Sequence, residues 1–181
     1  MEIILIRYGK PVSAENPKIN AAGFAKWGRQ YNMSYVANDS RPSDVDNSFT
    51  KHFLISSTLK RAVHSAEIYT GRKPDMQLSI LNEMDIPRYK LPFKLNAWAW
   101  VYLNRVLWML GVRGRFESYR EARKRSFVAA NKLIELVRNE NRVVVFGHGY
   151  MNYHLRKVLI KHGWRLVSKS SDFFGGTRLT R

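Results

Sequence analysis

Three short runs of β-branched and aliphatic residues lead straight into polar loops. EIILI (2–6) enters Arg7-Tyr8-Gly9, FLISS (53–57) enters a polar and then helical segment, and RVVVF (142–146) enters Gly147-His148-Gly149. Because the centres of these runs, IILI, FLI and VVVF, are apolar at both alternating positions, both faces of each strand must be covered, which is the condition of a parallel sheet. QLSIL (77–81) is a weaker fourth run, placed just ahead of Asn82-Glu83. Helical patterns fall between the runs, at Ala21 to Tyr31, Thr58 to Tyr69, 97–110 and Glu117 to Val137. Strands alternating with helices predict a three-layer α/β/α fold around a mostly parallel central sheet. Ligands of such sheets bind outside the carboxyl ends of the strands.

The remaining segments fit one domain spanning 1–181. Asn38 to Ser48 is polar and turn-rich and reads as a loop before the second strand. Residues 84–96 carry Pro87 and Pro92 and read as an irregular excursion, which continues into an aromatic helix; together they form a helical insertion or lid at about 84–115. No internal repeat and no linker-like composition interrupts the chain. With 181 residues and 45% hydrophobic content, there is enough material for a substantial core.

Charge narrows the partners. Thirty-one Lys and Arg against 14 Asp and Glu give a formal charge of +17, which attracts phosphorylated metabolites, nucleic acid or an acidic membrane surface. The basic residues are dispersed and accompany no zinc-finger or aromatic RNA-binding motif, so no specific nucleic-acid site is expected. With no cysteine, disulfides, thiolate metal sites and a cysteine nucleophile are excluded. The apolar run at Met1 is too short for a secretory signal and lacks its basic flank, so a cytoplasmic location is expected.

The strand ends carry the chemistry. Arg7 ends the first strand, Arg61 lies just beyond the second, His148 follows the last, and Glu83 follows the weak fourth. Two guanidiniums and an imidazole converging on one point suit a phosphoryl group, because the planar fork of arginine matches phosphate oxygens. The surrounding residues, LIRYGKP (5–11), SSTLKRAVHSA (56–66, with Ser65 where Thr is usual), LNE (81–83) and VVVFGHGYMNYHLR (143–156), occur in the order found in the histidine phosphatase superfamily, also called phosphoglycerate-mutase-like, which this chain resembles.

The resemblance implies that Arg7, Arg61 and His148 hold the phosphoryl oxygens and that Glu83 is the proton donor to the leaving group. The implied ligand is a phosphorylated small molecule or phosphorylated residue, and no cofactor or metal is expected, since arginines supply the charge. In active members a histidine after the first arginine attacks phosphorus. Tyr8 stands at that nucleophile position. A phenol free in water is only about 0.1% ionised at neutral pH, a deficit of about 4 kcal/mol in available nucleophile relative to a neutral imidazole. A phosphorylated phenol is also an ordinary ester without the lability of phosphohistidine. Phosphomonoester hydrolysis is therefore expected to be impaired, an ancestral or residual activity.

Other readings stay open. His52, His64 or His148 could substitute as nucleophile, or the pocket could serve a noncatalytic phospho-ligand-binding or regulatory protein. Lys10 either attracts the anion or is solvated, and His154 and His162 read as surface or packing residues. Trp98, Trp100, Tyr102, Val106, Trp108 and their neighbours cover nearly the whole circumference of the 97–110 helix. Such a helix is either packed within the lid or lies on an acidic membrane surface as part of a peripheral membrane protein.

Overall fold

The computed structural model describes residues 1–43, 49 and 51–181. The end of the expected 38–48 loop lies outside the described residues. In chain order the elements are β1 (Glu2–Arg7), β2 (Lys18–Asn20), α1 (Ala21–Met33), β3 (Phe53–Ser56), α2 (Lys60–Thr70), β4 (Met76–Gln77), β5 (Lys94–Asn96), α3 (Ala97–Met109), α4 (Tyr119–Glu140), β6 (Arg142–Gly147), α5 (Gly149–Lys161), β7 (Arg165–Lys169) and β8 (Gly176–Thr180).

The main sheet runs β4-β3-β6-β1-β8-β7. β4, β3, β6 and β1 are parallel, while β8 pairs antiparallel with β1 and β7 antiparallel with β8. This is the mixed α/β architecture with a mostly parallel central sheet that the apolar runs predict. Ile3, Leu5, Ile55, Val143 and Val145 face α4 and α5, whereas Ile4, Ile6, Leu54, Val144 and Phe146 face the side of Ala66 and Tyr69 on α2. Both faces of β1, β3 and β6 are thus covered, which explains why their sequences do not alternate.

Several elements depart from the sequence expectations. QLSIL contributes only the two-residue β4, after which Ser79–Leu81 closes into a 3-10 turn. The short β2 and β5 pair antiparallel, tying the loop after β1 to the start of α3. The edge strand β7 is exposed at every residue and shifts register between Leu166 and Ser168, with Arg165 and Lys169 at its ends. Charge and irregularity of this kind discourage a further strand from adding to an edge. α4 is extended at its start by a capping box, in which Ser118 accepts from the Glu121 amide and the Glu121 side chain accepts from the Ser118 amide.

α1 and α3 pack together over the carboxyl end of the sheet. Trp100 is wholly buried, stacks on Phe24 at 5.6 Å between ring centroids, and donates its indole N–H to the Ile19 carbonyl at 2.8 Å. Tyr8, Trp27, Tyr31 and Ile86 complete this aromatic cluster. α3 is therefore buried on its Ala97, Trp100, Asn104 and Trp108 face, while Tyr102, Val106, Met109 and Leu110 remain exposed. Among the described residues, no helix is long and apolar enough to cross a membrane.

Candidate functional site

The register of the parallel ladder sets the site. Arg7 pairs with Gly147 and Ser56 with Phe146, and the ladder continues one step beyond the strands: the Tyr8 amide donates to the Gly147 carbonyl and the Ser57 amide to the Phe146 carbonyl, both at 3.1 Å. Tyr8, Ser57 and His148 consequently leave the sheet at one level. The first turn of α2 brings Arg61 to the same place. Ser65, one turn further along α2, accepts the Gly9 amide at 2.9 Å and donates to the Arg61 carbonyl, which joins α2 to the loop after β1.

Arg7, Arg61 and His148 do converge, and the point of convergence is the phenol ring of Tyr8. The guanidinium of Arg61 lies 4.7 Å and that of Arg7 5.7 Å from its centroid, and the imidazole of His148 is 5.2 Å away, centroid to centroid. The Tyr8 and Tyr31 hydroxyls share a hydrogen bond of 2.8 Å, and burial, reinforced by Tyr8, pushes the Tyr31 phenol far above its ordinary range. Phe173 packs against both Tyr8 and the Arg7 guanidinium. Its neighbour Phe174 holds a left-handed backbone at φ 58° and presses so closely on Gly9 that a Cβ there would lie 2.4 Å from its ring. The turn between β7 and β8 is thus clamped over the end of β1, and only glycine fits beneath it.

The result is a closed cluster. Arg61 and His148 have no exposed surface and Tyr8 has 4%. Arg61 donates to the carbonyls of Tyr31 and Asn32 at 3.2 and 3.1 Å, and Arg7 donates to the Ser171 carbonyl at 2.7 Å. Neither arginine forms an ion pair with a carboxylate among the described residues. Nε of Arg7, Nε of Arg61 and Nδ1 of His148 are all buried without a partner. His148 Nε2 meets the Ser57 hydroxyl at 2.7 Å; with that hydroxyl donating, the ring hydrogen resides on Nδ1, and three N–H donors are left unused. Burial, and after it the positive field of Arg61, Arg125 and Arg7, holds His148 well below the usual histidine range, so the ring is neutral at pH 7.

Glu83 is placed differently. Its carboxylate accepts the amides of Met84, Tyr150 and Met151 at 3.0, 3.3 and 3.0 Å and so caps the first turn of α5. Arg125 braces the same segment by donating to the carbonyls of Ile80 and Asn82. The other histidines that could substitute have partners of their own. His52 pairs with Glu2 at 2.9 Å at the opposite, amino-terminal end of β1 and β3, and His64 Nδ1 accepts the Val36 amide. His154 is buried against Tyr119, Tyr150 and Tyr153, and Lys10 is exposed. Tyr31 and Phe173, which sequence reasoning did not single out, complete the closure. No group of three or more metal-ligating side chains occurs among the described residues.

The sequence model of the histidine phosphatase superfamily (branch 1) matches residues 44–168, more than half of the chain. The chain belongs to the histidine phosphatase superfamily. Solved structures of similar fold include the mycobacterial glucosyl-3-phosphoglycerate phosphatase complexed with VO3, at a TM-score of 0.62 and 16% identity over 99% of this chain and 92% of that one. A phosphoserine phosphatase mutant from Entamoeba histolytica in complex with phosphoserine gives a TM-score of 0.57 and 17% identity over 99% and 95%. At these identities the likeness is one of fold. No curated protein sequence matches. The family match begins after β1, so the Arg7-Tyr8-Gly9 segment stands outside it and is placed by the structure, through the ladder, Ser65 and the Phe174 clamp.

The neutral burial of two histidines has a consequence for stability. His148 and His154, the latter held down at about 4 chiefly by burial, both titrate lower in the folded chain than in the unfolded one. Below about pH 6.5 the unfolded chain binds more protons, and stability falls as pH drops. A fully buried histidine such as His148 contributes a slope of up to ~1.4 kcal/mol per pH unit in this window. Urea unfolding at pH 7 and pH 5 should show a lower midpoint at pH 5, with a shallower loss in His154→Gln; equal midpoints would contradict the buried neutral state.

Proposed function

We propose that this chain is a phosphate-binding member of its superfamily in which phosphomonoester hydrolysis is impaired by Tyr8 and persists at most as a residual reaction. One observation carries the reading. The Tyr8 ring fills the point on which Arg7, Arg61 and His148 converge, and its hydroxyl is held by Tyr31. A phenol in that position offers neither the free nitrogen of imidazole nor a labile phosphorylated intermediate.

The binding half of the reading is supported by electrostatics. Arg61 is a wholly buried cation whose partners are two neutral carbonyls and the aromatic faces of Tyr8 and Tyr31. A desolvated cation–π contact contributes about 2 kcal/mol, whereas burying an unpaired ion costs several kcal/mol. The cluster therefore retains a demand for an anion that Tyr8 does not meet. The ligand class is a phosphorylated small molecule or phosphorylated residue; relatives of this fold are complexed with phosphoserine and 3-phosphoglyceric acid. Glu83 holds the start of α5 through three backbone N–H groups, and the acceptor site its carboxylate keeps free is where it would carry a proton for the leaving group. Should turnover be wholly absent, the same donors serve a noncatalytic binding or regulatory protein.

In an assay with p-nitrophenyl phosphate, wild type should stay near background. Tyr8→His, which restores a nucleophilic nitrogen and frees space beside Arg61, should gain roughly a hundredfold or more. Robust wild-type turnover through a phosphorylated Tyr8 would overturn the reading.

The outer face of α3 favours a second reading, as a peripheral membrane protein. Tyr102, Val106, Met109 and Leu110, at helical spacing, are 72%, 49%, 44% and 75% exposed. Lys90, Lys94, Arg113 and Arg115 are exposed nearby, and no Asp or Glu occurs between Ile86 and Phe116. An apolar stripe with a basic rim suits the boundary of an anionic bilayer. Vesicles of phosphatidylserine and phosphatidylcholine should carry the protein upward in flotation at low salt, and neutral vesicles should not; no flotation with either would remove this reading.

A further inference from the structure

The closed cluster has an open neighbour. On the other side of Arg7, a cleft of about 120 Å³ is bounded by the end of β1, the start of α5 and the β7–β8 turn, with Arg7, Arg156, Lys169, Ser170 and Ser171 on its walls. That is about four times the share of liquid volume taken by one water molecule. Three cations and no carboxylate line it. Each cation comes from a different element, so the convergence is a product of the tertiary fold and not of a local run of basic residues.

Arg7 is the hinge between the two sites. Its guanidinium is held by the Ser171 carbonyl through one Nη and stacked on Phe173 at 4.3 Å, while Nε has no partner. The plane of the fork is therefore fixed before any ligand arrives. Arg156 is likewise steadied on the face of Tyr153, at 5.4 Å. Tyr153 itself registers the local field: its phenol is lowered first by a hydrogen bond to Lys157 and further by Lys157, Arg156 and Lys169. Asp172 accepts the hydroxyl of Ser170 at 3.0 Å and does not itself line the cleft.

We propose that this cleft is an anion-binding site for phosphate-class oxyanions, in which Arg7, Arg156 and Lys169 hold the anion outside the cluster that Tyr8 closes. The proposal deepens the phosphate-binding reading given above and rests on it for the ligand class. It requires no displacement of Tyr8 or Phe173, since neither lines the cleft and Lys169 on its wall is exposed.

Calorimetric titration of the full chain with inorganic phosphate at low ionic strength tests it. Arg156→Ala/Lys169→Ala should weaken phosphate binding roughly tenfold or more, given the strength of charge-assisted hydrogen bonds. Arg120→Ala/Lys124→Ala removes the same charge from exposed positions of α4 and should leave the affinity within about twofold, as expected for distant screened charges. Equal weakening by both pairs would reduce the effect to net charge, and an unchanged affinity in the cleft pair would place phosphate elsewhere; either result overturns the cleft. Neither disturbs the reading of Tyr8, which stands or falls on the hydrolysis gained by Tyr8→His. Absence of phosphate binding by wild type would overturn both the cleft and the binding half of that reading. Far-ultraviolet circular dichroism of each variant confirms that it is folded.

Discussion

The parallel ladder joining β3, β6 and β1 is the constraint from which the site follows. Because its hydrogen bonds run one residue past the strands, Tyr8, Ser57 and His148 are fixed at one height at the carboxyl edge, and α2 and α5 start beside them. No single loop has to be placed independently. A one-residue slip of β1 would turn Ile4 and Ile6 to the wrong face and carry Arg7 and Tyr8 out of line, so the buried apolar runs specify the site as firmly as they specify the core.

Within that frame the chemistry depends on what occupies the space between two guanidiniums and a neutral imidazole. A histidine nucleophile and a phosphoryl group would satisfy these donors together. Here an aromatic ring does so in part, through its electron-rich faces, and a phenol pair with Tyr31 fastens it. The aromatic cluster of α1 and α3 and the clamp formed by Phe173 and Phe174 then exclude water. Exclusion of water strengthens each charge interaction inside but also raises the cost of leaving Arg61 without an anion. On the function proposed above, the donors serve binding while Tyr8 limits attack.

The sequence made some of this legible. β1, β3 and β6 are continuous apolar runs with polar exits, and their ends named Arg7, Arg61 and His148 without any knowledge of distance. β2 and β5, with three residues each, are too short to show a period, and β7 and β8 lie on the antiparallel margin, where β7 is fully exposed and has no apolar face to betray it. α5 was hidden by the glycines and polar residues at its start. The closure was beyond reach for another reason, since Tyr31 and Phe173 meet Tyr8 only through contacts distant in sequence. Glu83 carries a contact the sequence leaves hidden: its carboxylate accepts backbone amides at the start of α5, which no pattern of residues announces. The cleft beside Arg7 was equally unreadable, because Arg156 and Lys169 look like ordinary solvated cations until α5 packs on β1 and β7 pairs with β8.

The most direct test of the central claim is rapid-quench mass spectrometry of wild type and Tyr8→His during reaction with a phosphomonoester. The account predicts an acid-labile phosphoryl adduct at position 8 in the variant and no adduct in wild type. An acid-stable phosphoryl group on Tyr8, or a labile one on His148, forming in wild type at the rate of turnover would contradict it.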